Sequence, residues 1–557
     1  MSEVVPAAEE RPPVGRPTRR DWRIITALTV VAFLLRLLSP ILPDFATNPL
    51  AWPPVRVLGL GHPYQSPNGY IFDEVYFAQD ACKDLLGKDY LDPEPPLSKL
   101  VIAAGMVVAG TWMHYDQGAH VAKDKQCETQ GTLPGFGTWG WRLAPLIFGT
   151  LLIPLIYLIA LRLWPDRFFA TSAALLMNFD GMAFVQSRIA MIDVVAIGFL
   201  LAVYLSYLWH RDAADERAWT RTALWLGVAI GLGVAAKWVT LAAWGTILVF
   251  IVGGFVLRWV SVSTENGWSW GGAARAVRGP SAGRRFLTYL LVLVAIPVVI
   301  YLGSYFRYVS YPHCIPVSGK PCYQTTPALN LAKVGPVWLP TGVNPGNWLN
   351  QVWLHDKWSY EYHRDLTATH TYGSEWYSWP FLLRPVAYYY EDNQGLSSID
   401  GSPLREEVFN LGNPAIWWFS IPCLIYCGIY AVRRRSYPAA LIVVGFLAAW
   451  LPFAGVKRVM FLYHMFGALP FMILAVAFAL ARMRTFALRI GVGPSRLPAI
   501  RGSHLALAYL GVVIVMFGYF YPLWTGAPLT GPAWNDRIWF SPDPSRPYLL
   551  DLKISWV

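Results

Sequence analysis

Apolar stretches about as long as a bilayer is thick recur from residue 22 to residue 524, and no water-soluble fold buries that many. They fall at 22–42, 142–164, 167–180, 189–209, 222–236, 239–257, 286–306, 415–432, 437–454, 459–481 and 504–524. A helix needs about 20 such residues to cross a hydrocarbon core. Only 14% of the chain is charged, against about a quarter in soluble domains. The pattern predicts an α-helical polytopic membrane protein with about eleven transmembrane helices and two large external loops.

The net charge of +11 does not point to nucleic acid, because the basic residues gather at the ends of apolar segments, where they set topology. Residues 258–285, Arg433-Arg434-Arg435 and residues 482–503 are basic knots, expected on the cytoplasmic side. Acidic residues outnumber basic ones in 43–141 and in 307–414, which are expected outside. A twelfth apolar run, 97–113, would invert every later loop if it crossed, so it reads as a juxtamembrane or re-entrant helix. The expected organisation is a disordered cytoplasmic tail at 1–21, a transmembrane module at 22–306 containing the first external loop, a second external loop at 307–414, C-terminal helices at 415–524, and an external tail at 525–557. The protein is expected in the plasma membrane, with its N-terminus cytoplasmic and its C-terminus outside. The run Ile24 to Leu42 lacks a cleavage site after it and reads as a retained span. External loops of this length are usually functional.

Cys314 and Cys322, in CIPVSGKPC, lie where oxidation is permitted and form the favoured disulfide candidate. A Cys82–Cys127 bridge is compatible with the same topology. Cys423 and Cys427, one helical turn apart in a span, read as packing. No Cys/His spacing resembles a zinc site.

The most informative segment is GYIFDEVYFAQD, where Asp73 and Glu74 begin an amphipathic helix outside the membrane. Acids at a helix start are commonly caps. The company these two keep suggests chemistry. Lys99 follows a rigid Asp92-Pro-Glu-Pro-Pro entry, and Arg142, Arg188, Lys237 and Lys457-Arg458 all lie at external ends of spans. Charges in or beside a membrane are expensive and usually serve a function. Cations facing a carboxylate pair suit a lipid-linked phosphate donor and a hydroxyl acceptor: the cations stabilise the departing phosphate, and one carboxylate takes the acceptor's proton. Taken singly, each cation also reads as a snorkelling anchor. Asp193, five residues beyond Arg188, reads equally as its ion-pair partner.

The segments FDEVYFAQDA, EPPLSKLVIAAG, GWRLAPLIFGT, NFDGMAFVQSRIAMIDV, AAKW, YHRDLTATHTYGSEWYSWPFLLRPVAYYYE, GNPAIWW and KRVMFLYHMFGALPF together resemble the protein O-mannosyltransferases. These are the dolichyl-phosphate-mannose type of glycosyltransferase family 39, with the GT-C architecture. The resemblance runs along nearly the whole chain, and the pattern from Ser374 to Glu391 is its most specific part. It implies inverting transfer of mannose from a polyprenyl-phosphate-mannose lipid to Ser/Thr hydroxyls of secreted or membrane proteins, in company with the secretion machinery. Asp73 would be the general base toward Ser or Thr, with Glu74 positioning donor or acceptor. Arg142, Lys237 and Arg458, joined by Arg188 and Lys99, would hold the carrier phosphate. Glu94, Asp193, Trp376, Trp379 and Arg384 would serve the acceptor or sugar. The lipid-linked sugar is the only cosubstrate implied, and a divalent cation is left as an alternative. Glu94 departs from the family's usual His and Ser98 from its usual Gly, and 307–414 is too short for the β-trefoil domain of eukaryotic members, so a bacterial member is expected.

A transferase of pentose or aminoarabinose onto a lipid or glycan is the competing enzyme class. The tryptophan-rich SWP/LLRP segment speaks against it. A transporter would place ionisable groups near the midplane and show repeat symmetry; here they gather at one face and no repeat is evident.

Overall fold

The computed structural model describes residues 15–38, 70–111, 127, 137–265, 282–317, 320–334, 337–397, 403–485, 487–488, 491–492, 495–496, 500–540 and 555–556. Residues 1–14, all of 39–69 and most of 541–557 lie outside the described residues. Among those described, eight helices are long and apolar enough to cross a membrane. In chain order these are α4 (Thr138–Leu163), α7 (Ile192–Arg211), α8 (Glu216–Ala236), α9 (Leu241–Glu265), the pair α10 (Ala282–Leu290) and α11 (Ile296–Ser304), α13 (Pro414–Arg433), α14 (Tyr437–Trp450) and α16 (Gly502–Thr525). A π-helical turn, Leu291–Ala295, joins α10 to α11.

The other three expected spans are not among those eight. Of residues 22–42, 22–37 lie in the 19-residue α1 (Arg19–Leu37) and 39–42 lie outside the described residues. Residues 459–481 split into a 3-10 segment, Leu462–Gly467, and the 16-residue α15 (Leu469–Arg484). Residues 167–180 give only α5 (Arg167–Asn178), 12 residues long. At about 1.5 Å per residue it rises about 18 Å, short of a hydrocarbon core of about 30 Å. Asp166 fixes its start by accepting from the amides of Phe168 and Phe169, and Asp180 caps the six-residue α6 (Gly181–Gln186) that follows. Residues 97–113 form α3 (Leu97–Thr111).

At the centre stands α7, almost wholly buried; it packs against α4, α8 and α9. Small residues allow the close approach that helices in lipid depend on. A Cβ at Gly149 of α4 would lie 1.9 Å from Cβ of Ser187, and one at Gly105 of α3 would lie 2.8 Å from the carbonyl oxygen of Gly140.

The long loop 307–414 is folded. It contains two hairpins, β1 (Cys314–Val317) with β2 (Lys320–Gln324) and β3 (Leu329–Val334) with β4 (Val337–Val343), then the helix α12 (Pro345–Asp365). The antiparallel pair β5 (Val386–Ser397) and β6 (Pro403–Asn410) follows, and β7 (Leu529–Thr530) pairs with the free edge of β6. Disulfides join Cys82 to Cys127 and Cys314 to Cys322, while Cys423 and Cys427 are reduced and buried.

Candidate active site

Four helix ends meet at one place. The helix α2 (Glu74–Leu86) starts there at Asp73. At the start of α3, the Ser98 hydroxyl donates to the carbonyl of Ala236 at 3.0 Å, which joins it to the end of α8. Asp193 lies in the first turn of α7, and Lys237 follows α8 directly.

The two neighbouring acids have opposite fates. Glu74 is wholly buried and fully bonded. Arg142 grips it with Nε and Nη2, each at 2.7 Å, and the amides of Ala190 and Ile71 donate to it at 2.8 and 2.9 Å. This buried, bidentate pair ties the first loop to α4 and the α6–α7 turn. Asp73 occupies the N-cap position, yet its carboxylate makes no capping bond. Burial pushes it up to about 7, with Asp193, Asp92 and Glu94 adding to the rise and Lys237 opposing it. A general base works best with a value near the working pH. The preceding Phe72 has a φ of 51°, a left-handed conformation that costs a bulky residue energy and collects at functional sites. Its ring is held by stacking on Tyr388 at 4.4 Å and by an edge contact with Tyr463.

Beside these groups lies a cavity of about 580 Å³ lined by Glu94, Asp193, Lys237, Arg458 and Tyr463, among others. The Lys237 ammonium sits 3.0 Å from Asp193 and 3.4 Å from Glu94. Burial works against its charge, but those two carboxylates outweigh burial and leave its pKa raised. His363 and His464 also line the cavity. Burial holds His363 below the ordinary imidazole range, Glu94 opposing and Arg458 and Lys237 adding to the depression. Trp238 lines both this cavity and an apolar groove of about 370 Å³ between α8 and α11. Among the described residues no three His, Cys, Asp or Glu side chains are placed to hold a metal ion.

Several expected site residues lie elsewhere. Lys99 is buried against Asp92 at 2.5 Å and the carbonyl of Glu94 at 2.8 Å, so it braces the Asp92–Glu94 turn and does not line the cavity. Arg142 is committed to Glu74. Arg188 is wholly buried, donates to the carbonyl of Trp524 at 3.1 Å and lies over the Phe184 ring; Asp193, its expected partner, is paired with Lys237. Trp379 donates to the Ser374 hydroxyl, Trp376 packs on Trp450, and Arg384 bonds the carbonyls of Thr371 and Ser555. Those three hold the second loop together. Sequence reasoning assigned no role to His363, Arg364, Tyr463 or His464, although YHRD and FLYHMF carry them; nothing local marks them, because α12 and the 462–467 segment meet only in the fold.

A helical frame, a carboxylate raised toward neutrality and a cation-lined cavity beside an apolar groove narrow the choice, and relatedness completes it. Residues 60–313 match the family described as dolichyl-phosphate-mannose-protein mannosyltransferase, and residues 348–542 match the C-terminal four-transmembrane region of protein O-mannosyltransferase. Similar proteins include the polyprenol-phosphate-mannose–protein mannosyltransferases of Mycolicibacterium smegmatis and Mycobacterium tuberculosis. The first is 27% identical, over 87% of this chain and 89% of that protein. The second is 25% identical, over 84% and 85%. Among solved structures, the Saccharomyces cerevisiae protein O-mannosyltransferase Pmt1–Pmt2 complex bound to the sugar donor superposes with a TM-score of 0.66 at 15% identity, covering 94% of this chain and 93% of that one. The fold is that of the GT-C glycosyltransferases. With both family regions laid along the helices and loops that carry the site, this chain belongs to the protein O-mannosyltransferase family of glycosyltransferases.

Proposed function

We propose that this enzyme transfers mannose from a polyprenyl-phosphate-mannose lipid to Ser/Thr hydroxyls of secreted or membrane proteins, with inversion, at the outer face of the plasma membrane. The relatives above are named for that donor. In this reading Lys237 and Arg458 hold the carrier phosphate, and the isoprenoid chain leaves past Trp238 along the apolar groove. Asp73 takes the acceptor proton as the hydroxyl oxygen attacks the anomeric carbon. The bond to the phosphate oxygen breaks on the opposite face, and the charge that develops there falls to the two cations. A single displacement needs a base and no nucleophile from the protein.

The observation that carries the reading is the pairing of a cation-lined cavity with an uncapped, half-buried Asp73 whose carboxyl is raised to about 7. Its test uses the full chain in lipid, a synthetic polyprenyl-phosphate-mannose and a Ser/Thr peptide, with a pentosyl carrier in parallel. Mannosyl transfer is expected, and Arg458→Ala should raise the donor KM while leaving the acceptor KM. Preference for the pentosyl carrier would replace the donor assignment, and an unchanged donor KM in Arg458→Ala would remove the phosphate role.

A further inference from the structure

The helix α12 presents three different sides. Gln351, Val352, His355 and Ser359 are buried against the protein. Asn347, Asn350, Glu361 and Asp365 share a second, polar side. The third carries Leu349, Trp353 and Tyr360, which helical spacing sets in one row. They are 54%, 67% and 59% exposed, a long apolar row for a helix outside the spans, and Lys357 and Arg364 flank it. Position tells what covers the row. The helix lies across the C-terminal end of α11: the Trp348 indole donates to the carbonyl of Leu302 at 2.9 Å, and the hydroxyls of Tyr301 and Tyr305 each donate to Asp356 at 2.8 Å. Next to that seam, Val298 and Val299 of α11 are exposed on a span, where hydrocarbon is their solvent. Asp356, beside Trp353 and Tyr360 on the helix surface, lines the apolar groove together with Val298. The exposed row therefore continues the lipid-facing surface past the end of the span. Helices that lie in a membrane interface have this make-up: Trp, Tyr and Leu in the boundary between headgroups and acyl chains, cations at its edge reaching phosphates, and polar groups toward water.

We infer that α12 is seated in the leaflet on the side of the active site, with Leu349, Trp353 and Tyr360 at the acyl boundary and Lys357 at the lipid phosphates. A lipid entering the groove then meets an embedded helix and not an open rim. The seating stands on the placement of the row alone. Its consequence, that the helix guides a lipid-linked donor toward the cavity that Tyr360 and His363 line, rests on the transfer reading above.

Two measurements on the full chain in nanodiscs of phosphatidylcholine and phosphatidylglycerol test it. A nitroxide on Trp353→Cys should collide more with oxygen than with a water-soluble nickel chelate, and one on Asn350→Cys the reverse; the native cysteines are bridged or buried. In Trp353→Glu the KM for a long-chain polyprenyl-phosphate-mannose should rise about tenfold, while those for a short-chain, water-soluble carrier and for the acceptor peptide stay within about twofold. Equal chelate access at the two labels would overturn the seating, and a long-chain KM that does not move would overturn the guiding role. A raised acceptor KM would give the row to the acceptor protein, and spin–spin broadening between labels would give it to a second copy; each overturns the inference. If Trp353→Glu fails to accumulate, the labels alone decide. A label embedded in lipid on a chain that transfers no mannose would leave the helix seated and refute the donor instead.

Discussion

At Asp73, burial and three nearby carboxylates act in one direction and Lys237 in the other, and the outcome near 7 fixes two opposed pH dependences. Folded Asp73 keeps its proton up to about pH 7, whereas an unfolded aspartate releases it near pH ~4. Between those values the folded state binds more protons, so this residue's contribution to stability falls as pH rises from ~4 to ~7 and is flat above. Activity should run the other way, because the base must be ionised: kcat/KM is expected to climb through about pH 7. Asp73→Asn should lower transfer by about 10²–10⁴-fold, the usual worth of a general base, and flatten that limb with membrane abundance intact. Retained turnover would end the assignment. Glu74 should behave differently. Removing one partner of a buried ion pair strands the other charge, at a cost of about 3–5 kcal/mol. Glu74→Ala should therefore lower the unfolding temperature and the amount of folded protein, measured by thermal shift in detergent, whereas Asp73→Asn should not.

Among the elements, α12 both lines the cavity, with His363 and Arg364, and braces the loop beside it. The His355 Nε2 meets the carbonyl of Asp92 at 2.9 Å, and the Ser359 hydroxyl donates to the carbonyl of Pro93, so the helix holds the turn that presents Glu94 to Lys237. Loosening that grip should misplace the ammonium by misplacing its partner. In Ser359→Ala, kcat/KM is expected to fall about tenfold with unchanged thermal stability, and an unaltered kcat/KM would show that the turn holds itself. The helix was legible in part. Asn344 caps it, Pro345 takes its first position, and Gln351, Val352, His355 and Ser359 form its buried stripe. What no sequence rule supplies is its neighbour, since residue 355 reaches residue 92 across a separation that pattern and propensity do not encode. The same gap explains the cations. Spacing put Lys99, Arg142, Arg188, Lys237 and Arg458 near span ends, but only contact with Asp92 and Glu74 shows that Lys99 and Arg142 are already engaged, while Arg188 gives one nitrogen to the Trp524 carbonyl.

For the whole molecule, apolar length and the placement of arginine were enough to anticipate a helical membrane bundle with large loops between its spans, because both follow from the cost of putting polar groups in hydrocarbon. The 12-residue α5 escaped that logic, since packing inside a bundle lets a helix stop before it has crossed. Orientation is the property on which the chemistry depends: one lipid headgroup can reach Asp73 and Arg458 only if both loops open on the same side. Tyr76 in the first loop and Tyr377 in the second are exposed, as is Arg434 in the basic knot. Four of the six cysteines are in disulfides and the other two are buried, so the unmodified chain should give little background with a membrane-impermeant maleimide. In intact cells, Tyr76→Cys and Tyr377→Cys should label fully, and Arg434→Cys only after permeabilisation. Labelling of Tyr76→Cys without Tyr377→Cys would put the carboxylate and the cation wall on opposite faces and leave no shared pocket. Labelling of Arg434→Cys alone would turn the whole bundle over and move the chemistry to the cytoplasmic side.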